Sequence, residues 1–361
     1  MSGILEIANN FQMNGAAVDT EKNYGGGHIN DTFLVRTDPG ERYILQRINT
    51  SVFKNAEALM DNVILVTDFI KDKVGREGGD PKRGTLSVVK TRDGKNLYRK
   101  GEECWRMYTF IEGTVTYQTC ENQEQFYASA CAFGHFQKLL ADFPAETLYE
   151  SIPNFHNTKS RYLDFEAAVK ADACGRAASV AAEIEFVRSR KAFAATLVDM
   201  QERGDLPLRV THNDTKLNNV LFDRETGKHL AVVDLDTVMP GLSVNDFGDS
   251  IRFGATYAAE DETDLSRVNF EPELFECYTK GFLGECGLLL TENEKKMLPV
   301  GAMMMTFECG MRFLTDYLNG DVYFKIHREN HNLDRCRTQF KLVSDMEAAR
   351  GLMDSIVEKY C

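Results

Sequence analysis

Apolar and polar positions alternate in short runs over the first third of this chain and recur at helical spacing over most of the rest. Residues 24 to 48, "YGGGHINDTFLVRTDPGERYILQRI", give a glycine turn, a strand "TFLVRT", a turn at "DPGE" and a second strand "RYILQRI". Apolar and β-prone residues bounded by Gly, Pro and Asp signal antiparallel strands joined by a tight turn. Along "RYILQRI" the period of two puts Tyr43, Leu45 and Arg47 on one face and Ile44, Gln46 and Ile48 on the other. Between 52 and 75 the apolar positions Val52, Ala56, Leu59, Val63, Val66 and Ile70 predict a helix. The stretch "TLSVVKTRDGKNLYRKGEECWRMYTFI" then returns to strands around "RDGK".

From about residue 122 the texture changes to long amphipathic stretches with few breakers, such as "EQFYASACAFGHFQKLLADF" and "EKKMLPVGAMMMTFECGMRFLTDYL". Two short strand patterns interrupt it, "RVTHNDTKLNNVLFD" and "LAVVDLDTV", each beside a polar loop. The expected class is α+β, with a small β-rich lobe over 1–113 and a larger, mainly helical lobe over 114–361. The linker candidate is the turn near "EGTVTYQ".

Composition narrows the partners. With 361 residues, 43% of them hydrophobic, the chain can bury one large core or two ordinary ones. A formal net charge of −13 without a Lys/Arg block argues against nucleic acid and anionic membrane as partners. No basic segment followed by a sustained apolar run opens the chain, and no apolar run reaches transmembrane length. Nine cysteines without any C-x-x-C suggest reduced thiols. A soluble, cytoplasmic protein, monomeric or a small homo-oligomer, is the expectation.

The chemistry concentrates in "VTHNDTKLNNVLFD" and the following "AVVDLDTV". Hard oxygen donors dominate there: Asp214, Asn219, Asp234 and Asp236. That mixture suits magnesium, which keeps waters and takes one or two carboxylates together with substrate phosphates. Flexible glycines at 25–27 could bring backbone N–H groups over those phosphates. The combination points to phosphoryl transfer from a nucleotide, in which one aspartate orients the acceptor hydroxyl while an asparagine and a later aspartate hold metal.

H-x-D-x-x-x-x-N at His212, Asp214 and Asn219, followed by an apolar strand ending in Asp234, resembles the signature of the aminoglycoside phosphotransferase and choline kinase superfamily. Its fold is protein-kinase-like and bilobal. The stretches "YGGGHINDTF", "MYTFIEGTV", "DFPAETLYESIPNFHNT", "DLDTVMPGLSVNDFGDSIRFGA" and "GMRFLTDYLNGDVYFKI" are similar to the N-acetylhexosamine 1-kinases within it. The resemblance implies an ATP- and Mg2+-dependent kinase of the anomeric hydroxyl of an N-acetylhexosamine, with Asp214 as catalytic base and Asn219, Asp234 and Asp236 toward the metal. It implies nucleotide contacts from Gly25, Gly26, Gly27, Gln46, Arg47, Tyr108 and Phe110, and sugar contacts from His28, Thr237, Phe253, Arg312 and Tyr323. His212 and Asp246 would brace the catalytic loop. A lysine usual on the third strand is missing, since "RYILQRI" offers Gln46 and Arg47 at that place.

Other readings compete. Kinases of homoserine, choline or aminoglycosides share the two motifs. "VVDLDTV" also fits the nucleophile motif of haloacid-dehalogenase-type phosphatases, with Asp234 as nucleophile and Asp236 as acid/base, but "NDFGDS" does not supply the later acidic loop such an enzyme needs. "HRENH" at 327–331 matches no zinc-protease pattern and reads as a solvated segment. Arg312 has Glu308 and Asp316 four residues to either side, so a structural ion pair is the plain alternative to substrate binding. The methionines at 303–305 read as core.

Overall fold

A computed structural model describes residues 2–24, 29–120 and 122–361. The class is the expected α+β, with an antiparallel-sheet lobe and a helical lobe. The chain divides into two compact units, one of Met1–Val115, Asp142–Pro153 and Leu221–Met239, the other of Thr116–Ala141, Asn154–Val220 and Pro240–Cys361.

In the first unit, α1 (Ser2–Ala8) precedes an antiparallel sheet built from β1 (Ala16–Lys22), β2 (Asp31–Asp38), β3 (Arg42–Ile48), β4 (Val88–Val89), β5 (Tyr98–Lys100) and β6 (Glu103–Thr109). The strand order is β1-β2-β3-β6-β4, with β5 also on β6. The hairpin read at "DPGE" is the β2–β3 pair, in register Phe33 with Leu45 and Val35 with Tyr43. These four residues join Ile7, Phe11, Val89, Trp105 and Met107 in one buried cluster. The strand β1 escapes the periodicity because it is an edge on which only Ala17 is buried. The helix expected at 52–75 is α2 (Ala56–Arg76), and Asn55 caps it by accepting the N–H of Ala58. A one-turn helix α3 (Pro81–Gly84) follows.

Short strands carry the motif: β7 (Thr114–Val115), β8 (Arg209–Thr211), β9 (Val220–Asp223), β10 (His229–Val232) and β11 (Met239–Gly241). They pair as β10-β9-β7 and as β11-β8.

The second unit holds α4 (Gln123–Leu139), α5 (Thr158–Ala171), α6 (Ala181–Ser189), α7 (Lys191–Glu202), α8 (Ser243–Gly254), α9 (Pro272–Cys286), α10 (Glu292–Leu318), α11 (His331–Ala348) and α12 (Arg350–Tyr360). Its centre is α10, started by a capping box between Thr291 and Glu294. Met303, Met304 and Met305 are buried in it, as the core reading expects. Helices α8 and α10 cross with glycine against backbone: a Cβ on Gly248 would lie 2.2 Å from the carbonyl oxygen of Gly301, and one on Gly301 would lie 2.2 Å from that of Val244. No side chain larger than hydrogen fits there. Among the described residues no helix is long and apolar enough to cross a membrane, and the nine cysteines are free thiols.

Candidate active site

The two halves of the motif lie in different units, Asp214 and Asn219 in the second and Asp234 and Asp236 in the first. In the second unit the chain leaves β8 through a loop in which Asn213 takes the left-handed conformation, φ 64°. Asparagine tolerates that region, and it persists where the surroundings fix it. Helix α8 does the fixing. The Asp246 carboxylate accepts the backbone N–H groups of His212 and Asn213, both at 2.8 Å, and the Gln137 amide at 2.7 Å. Asp249 accepts the N–H of Thr215 at 2.9 Å and Nε of Arg252 at 2.8 Å. Ser250 donates to the Thr215 carbonyl at 2.9 Å and accepts the Tyr278 hydroxyl at 2.6 Å. Buried polar groups need partners, so a buried helix carrying Asp246, Asp249 and Ser250 makes sense as the anchor of this loop. Burial pushes the Asp246 carboxyl above its usual range, with the amide donors pulling the other way.

His212 is fully buried. Its ring meets Phe133 and Phe136 edge-on, with centroids 5.6 and 5.9 Å away, and its Nδ1 accepts the N–H of Asp214 at 3.3 Å. These contacts brace the loop. Asp214 itself is 28% exposed, and its Oδ1 lies 2.8 Å from Lys216 Nζ. Burial alone would raise its pKa, but Lys216 outweighs that and holds the carboxyl below the usual aspartate range. Asn219 donates its Nδ2 to the Asp214 carbonyl at 2.8 Å and to Oδ2 at 3.1 Å, which leaves its own Oδ1 as the remaining donor atom toward a cation.

Sequence reasoning missed a second support. His156 faces the Asn213 carbonyl with Nε2 at 3.1 Å and the Glu308 carboxylate with Nδ1 at 2.9 Å. Both nitrogens face acceptors, the arrangement of an imidazolium. Burial by itself depresses its pKa, yet the Glu308 hydrogen bond and charge lift it above the ordinary histidine value. Thr158 also donates to Glu308. Asp316 accepts the N–H groups of Val322 at 2.9 Å, Tyr323 at 2.8 Å and Phe324 at 3.0 Å, and Asn332 Nδ2 at 2.9 Å. Both carboxylates flanking Arg312 thus take their hydrogen bonds from other groups, and no hydrogen-bonded ion pair with Arg312 forms among the described residues, although its charge still helps to hold the Glu308 carboxyl low. Arg312 lies instead among the rings of Phe155, Tyr323 and Phe324, 5.5 to 5.8 Å from their centroids.

In the first unit Asp234 is exposed and left-handed, φ 61° and ψ 54°, at the start of a one-turn 3-10 helix. Asp236 is buried. It pairs with the buried Arg106 guanidinium, accepts Asn30 Nδ2 at 2.7 Å, and its carbonyl accepts the Ser151 hydroxyl at 2.8 Å. Arg106 donates from Nε to Gln46 Oε1 at 3.0 Å, and Gln46 Nε2 donates to Thr32 at 3.1 Å. Register places Gln46 beside Arg106 across β3 and β6. Gln46 thus orients a buried arginine, while Arg47 lies outside, paired with Asp31 and Glu103. The signal for Arg106 was a charge inside the otherwise apolar run "CWRMY".

The other candidates fall as follows. Tyr108 is buried with the Arg106 guanidinium 5.2 Å from its ring centroid, and burial pushes its pKa up. Phe110 packs against Tyr24 and under Arg42. Thr237 is buried, Phe253 half-buried and Tyr323 exposed. Gly25, Gly26, Gly27 and His28 lie outside the described residues. His331 of "HRENH" is not solvated: it is buried, with Nε2 3.0 Å from Asp261, so that part of the reading is corrected.

Asn219 in the second unit and Asp234 in the first each present side-chain oxygens of the hard kind that magnesium takes, while the Asp236 carboxylate is engaged by Arg106 and Asn30. Among the described residues no group of three or more His, Cys, Asp or Glu side chains gathers as a metal cage. A magnesium ion held partly by substrate phosphates requires none.

Residues 20–272 match the model of a phosphotransferase enzyme family. The structure is similar to that of an aminoglycoside phosphotransferase from Alicyclobacillus acidocaldarius, with 12% identity, 98% of this chain and 95% of that one covered, and a TM-score of 0.65. It is also similar to choline kinase from Cryptosporidium parvum, at 13% identity, 99% and 97% coverage and a TM-score of 0.59. Amicoumacin kinase hAmiN, solved with AMP-PNP, Ca2+ and Ami, matches at 14% identity, 95% and 93% coverage and a TM-score of 0.59.

Proposed function

Because this chain belongs to the phosphotransferase enzyme family, we propose that it transfers the γ-phosphoryl group of ATP to the anomeric hydroxyl of an N-acetylhexosamine. The observation that carries the reaction is the loop of residues 212–219, where α8 fixes the backbone and Asp214 sits anionic beside Lys216. AMP-PNP bound to a protein of the same fold supports the adenine nucleotide as donor. The acceptor rests on the longer sequence resemblance between residue 24 and about residue 340.

On this reading Asp214 accepts the proton of the sugar hydroxyl. A carboxylate held below its usual pKa is a weak base, but a loose transition state defers proton transfer until the phosphoryl group has largely moved. Alignment of the hydroxyl then matters more than basicity, and the loop's bonds to Asp246 and Asp249 supply it. Asn219 and Asp234 would hold magnesium, with Asp236 keeping the turn in place through Arg106. When bound, the ion neutralises charge on the phosphates. The phosphatase alternative would need Asp236 as a mobile acid/base, and its carboxylate is buried against Arg106 and Asn30.

Phosphorus NMR of the protein with ATP, magnesium and a mixture of N-acetylglucosamine, N-acetylgalactosamine, homoserine and choline tests the proposal. The expected product is a sugar 1-phosphate, its signal split by the anomeric proton and absent for Asp214→Ala. A phosphorylated homoserine or choline would overturn the acceptor and keep the reaction. Cleavage of an added phosphomonoester with ATP untouched would overturn the reaction.

A further inference from the structure

One polar side chain interrupts the buried face of α2. Leu59, Met60, Val63 and Val66 are buried there, and among them stands Asn62, 1% exposed. A buried amide among apolar neighbours costs stability unless it is hydrogen-bonded. Asn62 is bonded through both its nitrogen and its oxygen. Its Nδ2 donates to the Tyr149 carbonyl at 2.6 Å and to the Val238 carbonyl at 3.0 Å, and its Oδ1 accepts the Tyr149 N–H at 2.8 Å. One side chain thus ties α2 to the 142–153 segment and to the end of the turn that carries Asp234, all within the first unit.

That turn needs such ties. Asp234 is left-handed and opens the single 3-10 turn Leu235–Thr237, which the Val238 N–H closes onto the Leu235 carbonyl at 3.2 Å. A residue other than glycine stays in that backbone region where its surroundings over-determine it. Downstream of Asp234, Arg106 and Asn30 hold the Asp236 side chain, the Ser151 hydroxyl holds the Asp236 carbonyl, and Asn62 holds the Val238 carbonyl. Ser151 stands two residues after Tyr149, whose N–H and carbonyl are both bonded to Asn62. Asn62 therefore acts on the turn twice, directly at Val238 and through Tyr149 and Ser151 at Asp236. Met60 of the same helix adds a third contact, its sulfur 3.8 Å from Arg106 Nη1.

We infer that Asn62 is a positioning residue for the metal, setting the turn so that Asp234 can take the magnesium ion of the nucleotide. The inference rests on the phosphotransfer reading and extends it to α2. Asparagine suits the place because two carbonyls there need donors and one N–H needs an acceptor. Aspartate supplies only the acceptor, and leucine supplies neither.

Calorimetry of AMP-PNP binding, in magnesium and again in EDTA, tests this on the wild type, Asn62→Leu, Asn62→Asp and Ser151→Ala. The quantity to read is the ratio of the two affinities. Loss of folded protein changes the stoichiometry, and general damage to the nucleotide site lowers both affinities, whereas a displaced metal turn lowers the ratio. Each Asn62 variant should lower it about tenfold, the scale of one lost buried hydrogen bond, with affinity in EDTA unchanged. Ser151→Ala keeps the Asn62 bonds and frees only the Asp236 carbonyl, so its fall should be smaller, about threefold. It decides the matter if the Asn62 variants do not fold. A wild-type ratio in the variants that fold, or equal losses in magnesium and in EDTA, would overturn the inference. A wild type whose affinity magnesium does not raise would instead sink the phosphotransfer reading, and this role with it.

Discussion

Arg106 and Asp236, 130 residues apart in the chain, meet as an ion pair whose side chains are 1% and 4% exposed. Asn30 and Gln46 satisfy further atoms of both partners. Removing either charge leaves the other buried and uncompensated, at a cost of about 3–5 kcal/mol. Arg106→Met and Asp236→Leu should each destabilise the protein by that amount, while the double variant recovers much of the loss. Urea denaturation of the four proteins gives the coupling directly. Additive losses would show that the pair is not the structural unit described.

Asp214 and Asp234 should separate by function. Asp214→Ala should lower kcat by about 10²–10⁴, the usual contribution of a positioned acid/base group, with binding of the magnesium nucleotide nearly intact. Asp234→Ala should abolish metal-dependent nucleotide binding. Calorimetric titration with magnesium AMP-PNP distinguishes them, and equal loss of binding in both would sink the role assignment.

The His156–Glu308 pair predicts a pH window. The folded-state pKa of His156 is raised, so its stabilisation is fully present below the unfolded value of about 6.5 and is lost as pH rises through the folded value. Glu308 is lowered despite burial, because His156 faces it, so its contribution is present above the unfolded value and lost as pH falls through the folded one. His156→Gln keeps hydrogen-bonding capacity without the charge. It should cost about 1–3 kcal/mol near pH 6 and flatten the stability profile above it. Denaturation midpoints across that range check the sign.

Gly248 and Gly301 should tolerate nothing larger. Alanine at either place puts a methyl group 2.2 Å from a carbonyl oxygen. The helices must then move apart, and we expect a loss of about 1–3 kcal/mol or more. Because α8 carries Asp246 and Asp249, kcat should fall along with stability. A Gly248→Ala enzyme of normal activity and stability would show that the crossing yields easily.

What the sequence determined by itself was local. The period of two in β2 and β3, the helical spacing in α2 and the breaker-poor stretches after residue 122 set the elements, because a buried face repeats with the geometry of its own element. The spacing of His212, Asp214, Asn219 and Asp234 was legible for the same reason, as one loop and the strand pattern after it. The edge strand β1 was not, since an exposed strand needs no alternation. Tertiary structure alone decided which distant groups share a charge. It gave Asp236 to Arg106, the loop amides to Asp246, and the hydrogen bonds of Glu308 to His156 and Thr158, and it set Arg312 among the rings of Phe155, Tyr323 and Phe324 where sequence spacing offered it two acids. It also joined 142–153 and 221–239 to the first unit. Periodicity tells which face a residue occupies, but the partner of a buried charge is set by packing across the whole unit.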